Sequence, residues 1–450
     1  MTASHTLSEK EEALLAKASQ MSTVPDEVFS KFNNADVKFG KVKRENGQED
    51  ELTNGNFATF MESQDRAVRK AAFEALYKQY GAYINTIAAA FYGNVKQAMF
   101  YADARGYKST LNMYLDGSFI PENVYKNLIK TVNDNLDKMY CYVDIRKKAL
   151  GVDELHFYDI YAPMVEDIDW KISYDEAKDI VVKALAPMGE EYVSHIKEGF
   201  NNGWVDVYEN TGKRSGAFSW GAYGTHPYVF LNYSDTLNDV FTVIHEMGHA
   251  MHTYYSNANQ PYIYAGYKIF VAEVASTCNE AILMQYMLKN TDDEKKKRYL
   301  LNHFFEQFKG TLYRQTMFAE FEMEAHAKAE HGEVLSAESL CAMYKKLNEK
   351  YFGPDMVIDD EIALEWARIP HFYTPFYVYQ YATGYSAAIA IAAGILKGDK
   401  AVKEGYKKFL SGGSSLHPID LLKLCRIDME KREVVQSALN VFNGLLDEWD

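Results

Sequence analysis

Apolar and aromatic positions recur every three or four residues from Val68 to about Ala104, at Val68, Ala72, Leu76, Tyr80, Tyr83, Ile84, Ile87, Phe91, Val95 and Met99. That period follows the turn of an α-helix and predicts long helices with one buried stripe. The same spacing links Val124, Leu128, Val132, Leu136, Tyr140 and Val143 behind Pro121, so one helix is predicted from Glu122 towards Leu150. Ser8 and Glu11 form a capping-box signature for a helix through Ala18. Further helical patterns cover 173–185, 189–200, 270–288, 292–309, 315–331, 336–351, 375–396 and 399–410. Around 36–43 the alternation is only partial, and a strand there is weakly indicated.

One stretch departs from this pattern. Trp204 to Tyr233 is rich in glycine, serine and aromatics, and 226–233 (His226 to Tyr233) fits a strand behind a glycine-rich turn. A small sheet is therefore predicted immediately ahead of the next helix. It is either a plain hairpin or a sheet with an exposed edge to which an extended peptide adds by backbone hydrogen bonds.

Composition narrows the class. The 450 residues, 47% hydrophobic and 25% charged, suit a soluble globular chain. A formal charge of −15 argues against a nucleic-acid partner, which a basic field would announce. The cysteines at 141, 278, 341 and 425 are dispersed and form no C-x-x-C pair, as expected for thiols in a reducing cytosol. The start is polar, with no secretory signal. The most apolar later run, Ala387 to Leu396, falls far short of the ~20 residues that span a bilayer. A cytoplasmic protein with no membrane partner is expected.

The candidate chemistry lies in the helix after the sheet. His245-Glu246-Met247-Gly248-His249 is an H-E-x-x-H pattern, which also arises by chance on buried helices. On a helix it sets two imidazoles one turn apart on one face, where both reach one zinc ion, with Glu246 beside them as a general base. The segment is otherwise apolar, and buried polar groups of this kind need partners or a metal. Glu273 lies in another apolar helical run, where a carboxylate has no other evident role than that of a third ligand, a surface glutamate being the alternative. Glu280, two turns on, is placed to hold a ligand histidine in its tautomer. Three ligands and one open position mark a catalytic site. His252 is assigned to its surroundings. Tyr377, Tyr381 and Tyr385 fall on one face of the predicted helix 375–396, with His371 just before it. They are candidates to stabilise an oxyanion, and a tyrosine stripe of this kind equally suits a core.

Three stretches together, H-E-M-G-H-A-M-H at 245–252, F-V-A-E-V-A-S-T-C-N-E at 270–280 and P-H-F-Y-T-P-F-Y-V-Y-Q-Y-A-T-G at 370–384, resemble the oligoendopeptidase F branch of the thimet-oligopeptidase-like zinc peptidases. The resemblance runs from near residue 7 to the C-terminus. It implies a mainly α, single-domain body over 1–450, with 1–200 a helical wall and 201–450 a catalytic region holding the small sheet and a substrate channel. It also implies a zinc endopeptidase cutting internal bonds of short unstructured peptides, with one zinc per chain on His245, His249 and Glu273. Glu246 would be the general base and Glu280 the outer partner. His371, Tyr377, Tyr381 and Tyr385 would serve catalysis, and His226, Tyr228, Phe230, His252 and Tyr379 would contact substrate. The start resembles an internal position of family members, so the family's N-terminal segment, and part of the channel enclosure, is expected to be lacking. Two other readings stay open. A zinc carboxypeptidase would need a basic anchor such as Arg214, Arg314 or Arg368. A peptide-binding protein would be catalytically impaired.

Overall fold

Several helices begin where the sequence supplies caps. Glu11 accepts from the Ser8 N–H at the start of Glu9–Ser22, and Ser173 with Glu176 and Thr236 with Asp239 do the same for Tyr174–Ala184 and Leu237–Asn259. The computed structural model describes residues 3–165, 168 and 170–449, and it is mainly helical with small sheets. The 68–104 periodicity resolves into Arg66–Ala82 and Ile84–Ala104. The helix predicted over 122–150 is two helices, Glu122–Asn133 and Leu136–Leu150. The break falls at Asp134 and Asn135, residue types that are poor helix formers. The weak strand at 36–43 shrinks to Lys41–Lys43, paired antiparallel with Glu49–Glu51. The helix predicted from residue 375 begins only at Tyr379 and runs to Leu396.

The chain forms two compact units, each built from three chain segments. The first comprises 1–117, 132–166 and 313–379. In its core Phe91 meets Phe321, Trp366, Phe372 and Tyr373. The fully buried Asp159 is paired there with Arg66 and Arg69, as a buried carboxylate requires.

The second unit comprises 118–131, 167–312 and 380–450. Its sheet has the order Val205–Tyr208, Tyr228–Tyr233, Phe218–Trp220. The central strand is parallel to the first and antiparallel to the last. Val229, Leu231 and Tyr233 point inward from it, the alternation expected of a half-buried strand. The motif helix Leu237–Asn259 packs along Ile269–Lys289, and together they form the centre of the unit.

Candidate active site

The motif helix is fixed at its start and along its length. The Asp239 carboxylate accepts from the N–H and hydroxyl groups of Ser234 and Thr236. Val240, Val243, Ile244, Met247 and Ala250 are fully buried. Gly248 allows the closest approach: a Cβ there would stand 2.6 Å from Ser276 Cα and 2.8 Å from the Ala275 carbonyl oxygen. The Asn279 amide adds a hydrogen bond to the Ile244 carbonyl (3.3 Å) and accepts from the Tyr192 hydroxyl (3.0 Å). Glu273 and Glu280, on the second helix, are thereby carried against the two histidines.

The result is a triangle of donor atoms. His245 Nε2 and His249 Nε2 are 3.2 Å apart, and Glu273 Oε2 lies 3.5 Å from the first and 3.3 Å from the second. Three corners of a tetrahedron with arms of ~2.0–2.1 Å are separated by ~3.3–3.4 Å, so these residues fit a zinc ion with one position left open. Among the described residues they are also the one group of three histidine, cysteine or acidic side chains close enough to share a metal. Burial raises the Glu273 carboxyl, but the neighbouring His249 and His245 outweigh it and hold the group down to about 2. The Ser276 hydroxyl, 3.1 Å from Glu273 Oε2, gives it a hydrogen bond. Glu246 is buried beside the triangle and its Oε2 has no hydrogen-bond partner among the described residues. Burial pushes its carboxyl up against the pull of both histidines, in the direction that suits a general base.

Outside the triangle, His245 Nδ1 is hydrogen-bonded to Glu280 Oε1. Burial lowers the His245 imidazole, and the Glu280 bond and charge, with Glu273 and Glu246, more than reverse this. Glu280 Oε2 accepts from Gln307 Nε2 at 2.8 Å. Ser276 is three residues from Glu273, so helical spacing had the information to find it. Gln307 carries no such signal, because it arrives from a different helix.

The substrate candidates divide. His252 is a core residue, stacked on Tyr267 at 3.7 Å and beside Phe409, and burial lowers its imidazole to about 3. Tyr379 is buried as well. His226 stacks on Trp204, Tyr228 is exposed, and Phe230 stacks on Phe218. Tyr228 and Phe230 lie on the central strand, whose backbone is paired on both sides, so the open edges belong to Val205–Tyr208 and Phe218–Trp220. The tyrosine stripe is shorter than expected. Phe376 takes φ 56, ahead of the helix start, and leaves Tyr377 outside the helix, stacked on His371 in the first unit. Tyr381 and Tyr385 stay on the helix in the second unit. Tyr385 is buried edge-on against Phe308 near Glu280, and its hydroxyl has no partner among the described residues.

The basic anchors are mostly committed elsewhere. Arg314 is partly buried in a two-point ion pair with the buried Glu365, and Arg368 is partly buried with its guanidinium over the Phe57 ring. Arg214 is exposed on the loop before Phe218–Trp220.

Known proteins resemble this chain in sequence and fold. Residues 59–441 match the family model described as Peptidase family M3, and residues 2–39 match one described as Oligopeptidase F. The second match argues against a chain with none of the family's N-terminal segment. Oligopeptidase PepF of Bacillus subtilis is 53% identical over 446 residues, covering 99% of this chain and 67% of that protein. The crystal structure of a putative peptidase from Chlamydophila abortus superposes with a TM-score of 0.95 at 39% identity, covering 99% of this chain and 75% of that one. Oligoendopeptidase-F from Enterococcus faecium follows with a TM-score of 0.84 at 37% identity, with the same coverage.

Proposed function

The chain belongs to peptidase family M3 and is a metalloendopeptidase of oligopeptides, and on that premise we propose that zinc is its metal, one ion per chain, held by His245, His249 and Glu273. The observation that carries the assignment is the 3.2–3.5 Å triangle of two imidazole nitrogens and one carboxylate oxygen. When bound, zinc supplies Lewis acidity, polarising the scissile carbonyl and making water a nucleophile near neutral pH.

The chain's own groups handle the protons and the substrate. Glu246 takes a proton from the attacking water and passes it to the leaving nitrogen. Glu280 keeps Nδ1 of His245 occupied, so that Nε2 faces the ion. Tyr381 and Tyr385, which belong to the same unit as the triangle, are proposed as donors to the substrate or the developing oxyanion. An extended peptide pairs with the edge strand Phe218–Trp220, with Tyr228 and Phe230 on the neighbouring strand and His226 just ahead of it. That edge is favoured over Val205–Tyr208 because it runs into Gly221, where a Cβ would lie 2.7 Å from Thr253 Cγ2 on the motif helix.

Short unstructured peptides are the proposed substrates, and the cytoplasm is the proposed compartment. In support of the latter, no helix among the described residues is long and apolar enough to cross a membrane, and no disulfide joins the four cysteines. The carboxypeptidase reading loses support from the commitment of Arg314 and Arg368. Internally quenched peptides blocked at both ends test the choice. They are cut by the parent and not by Glu246→Gln if the proposal holds. Release of single C-terminal residues from free peptides alone would replace it with the carboxypeptidase.

A further inference from the structure

We propose that Gln307 is a positioning residue of the metal site, acting on His245 through Glu280; this rests on the zinc assignment to His245, His249 and Glu273. Five side chains form a closed loop that leaves and returns to the motif helix. His245 Nδ1 bonds to Glu280 Oε1, Glu280 Oε2 accepts from Gln307 Nε2 at 2.8 Å, and the same nitrogen lies 3.4 Å from His303 Nε2. His303 stacks on Phe241 at 4.7 Å, and Phe241 stands one turn before His245.

The loop supplies what a carboxylate alone lacks. The terminal torsion of a glutamate is soft and broadly populated, so a single bond to His245 leaves the carboxylate free to turn. A second bond on the other oxygen fixes its plane, and with it the direction in which His245 presents Nε2. A neutral amide does this without cancelling the charge through which Glu280 raises the basicity of the ligand. The assignment of the amide nitrogen follows from the Glu280 contact. Turned over, its oxygen would face the Glu280 carboxylate with no hydrogen between them. Burial lowers the His303 imidazole, consistent with a neutral ring.

The position of Gln307 in the fold is unusual as well. It ends the helix Glu294–Gln307, and the next residues, Phe308–Tyr313, widen into a π-helical turn. Such turns re-aim side chains and are frequent at functional sites. Phe308, the first of them, packs edge-on against Tyr385, and the charge of Glu280 is felt at that tyrosine.

The test is a zinc-affinity cycle, read by competition with a chromogenic chelator on the full chain. Gln307→Met keeps length and bulk without the donor, and Gln307→Asn keeps the amide but withdraws it from reach. Each is expected to weaken zinc binding on the order of 10–100-fold, the loss typical of outer-shell partners, while the metal-free forms melt with the parent. Added to Glu280→Gln, Gln307→Met is expected to cost little further, because its route to His245 is already cut. Parent-like zinc affinity in both Gln307 variants, or an undiminished extra loss in the double variant, overturns the proposal. A parent that binds no zinc removes the functional reading beneath it.

Discussion

Gly248 and Ser276 are in backbone contact: a Cβ added to the glycine would stand 2.6 Å from the serine Cα. The glycine lies inside the H-E-x-x-H motif, and the serine is three residues past Glu273. The contact therefore sets the distance between the two helices that supply the three proposed ligands. Gly248→Ala puts a methyl group where backbone already is, a small-to-large change whose cost is ~1–3 kcal/mol or more. Denaturant unfolding should show that loss together with weakened zinc binding. Gly444→Ala is the control, because nothing lies within 4 Å of its Cβ position on the helix Glu433–Asp447. It should stabilise by ~0.4–1 kcal/mol. A neutral Gly248→Ala would mean that the helices have room to part.

Arg314 and Glu365 stabilise the first unit as a largely buried pair, with the Tyr344 hydroxyl on the second carboxylate oxygen. Removing one partner strands the other charge. Arg314→Met should therefore cost ~3–5 kcal/mol in urea unfolding, and replacing both residues with apolar ones should cost much less. If Arg314 were instead a free substrate anchor, the single variant would keep its stability and lose binding.

Asp159 gives a pH signature. Burial raises its carboxyl, but Arg66 and Arg69 outweigh this and leave it below its ordinary value. A depressed folded value makes the contribution full above the unfolded carboxyl value of ~3.9, and it is lost as pH falls through the lower folded value. Stability measured from pH 6 downwards should fall more steeply in the parent than in Asp159→Asn. Equal slopes would assign the acid sensitivity to other carboxylates.

The metal triangle was legible because its geometry is largely local. Helical periodicity puts His245 and His249 on one face, and a lone carboxylate in the apolar run around Glu273 asks for a partner. The seven-residue spacing then brings Glu280 to the same face. Tyr377 was misplaced because Pro375 reads as a helix start, whereas the chain turns once more through a positive φ at Phe376, which an aromatic residue does not announce. The burial of His252 is not legible in the sequence, because its stack on Tyr267 depends on how the following loop folds back. Gln307 and the Gly248–Ser276 contact depend on which helices pack together, and no single stretch of sequence contains that information.

The most direct measurement is anomalous scattering above and below the zinc edge from a crystal of the protein purified without chelators. The account predicts one zinc peak per chain, ~2.0–2.2 Å from His245 Nε2, His249 Nε2 and a Glu273 carboxylate oxygen. A zinc-replete crystal with no peak there, or with its only peak on other residues, would contradict it.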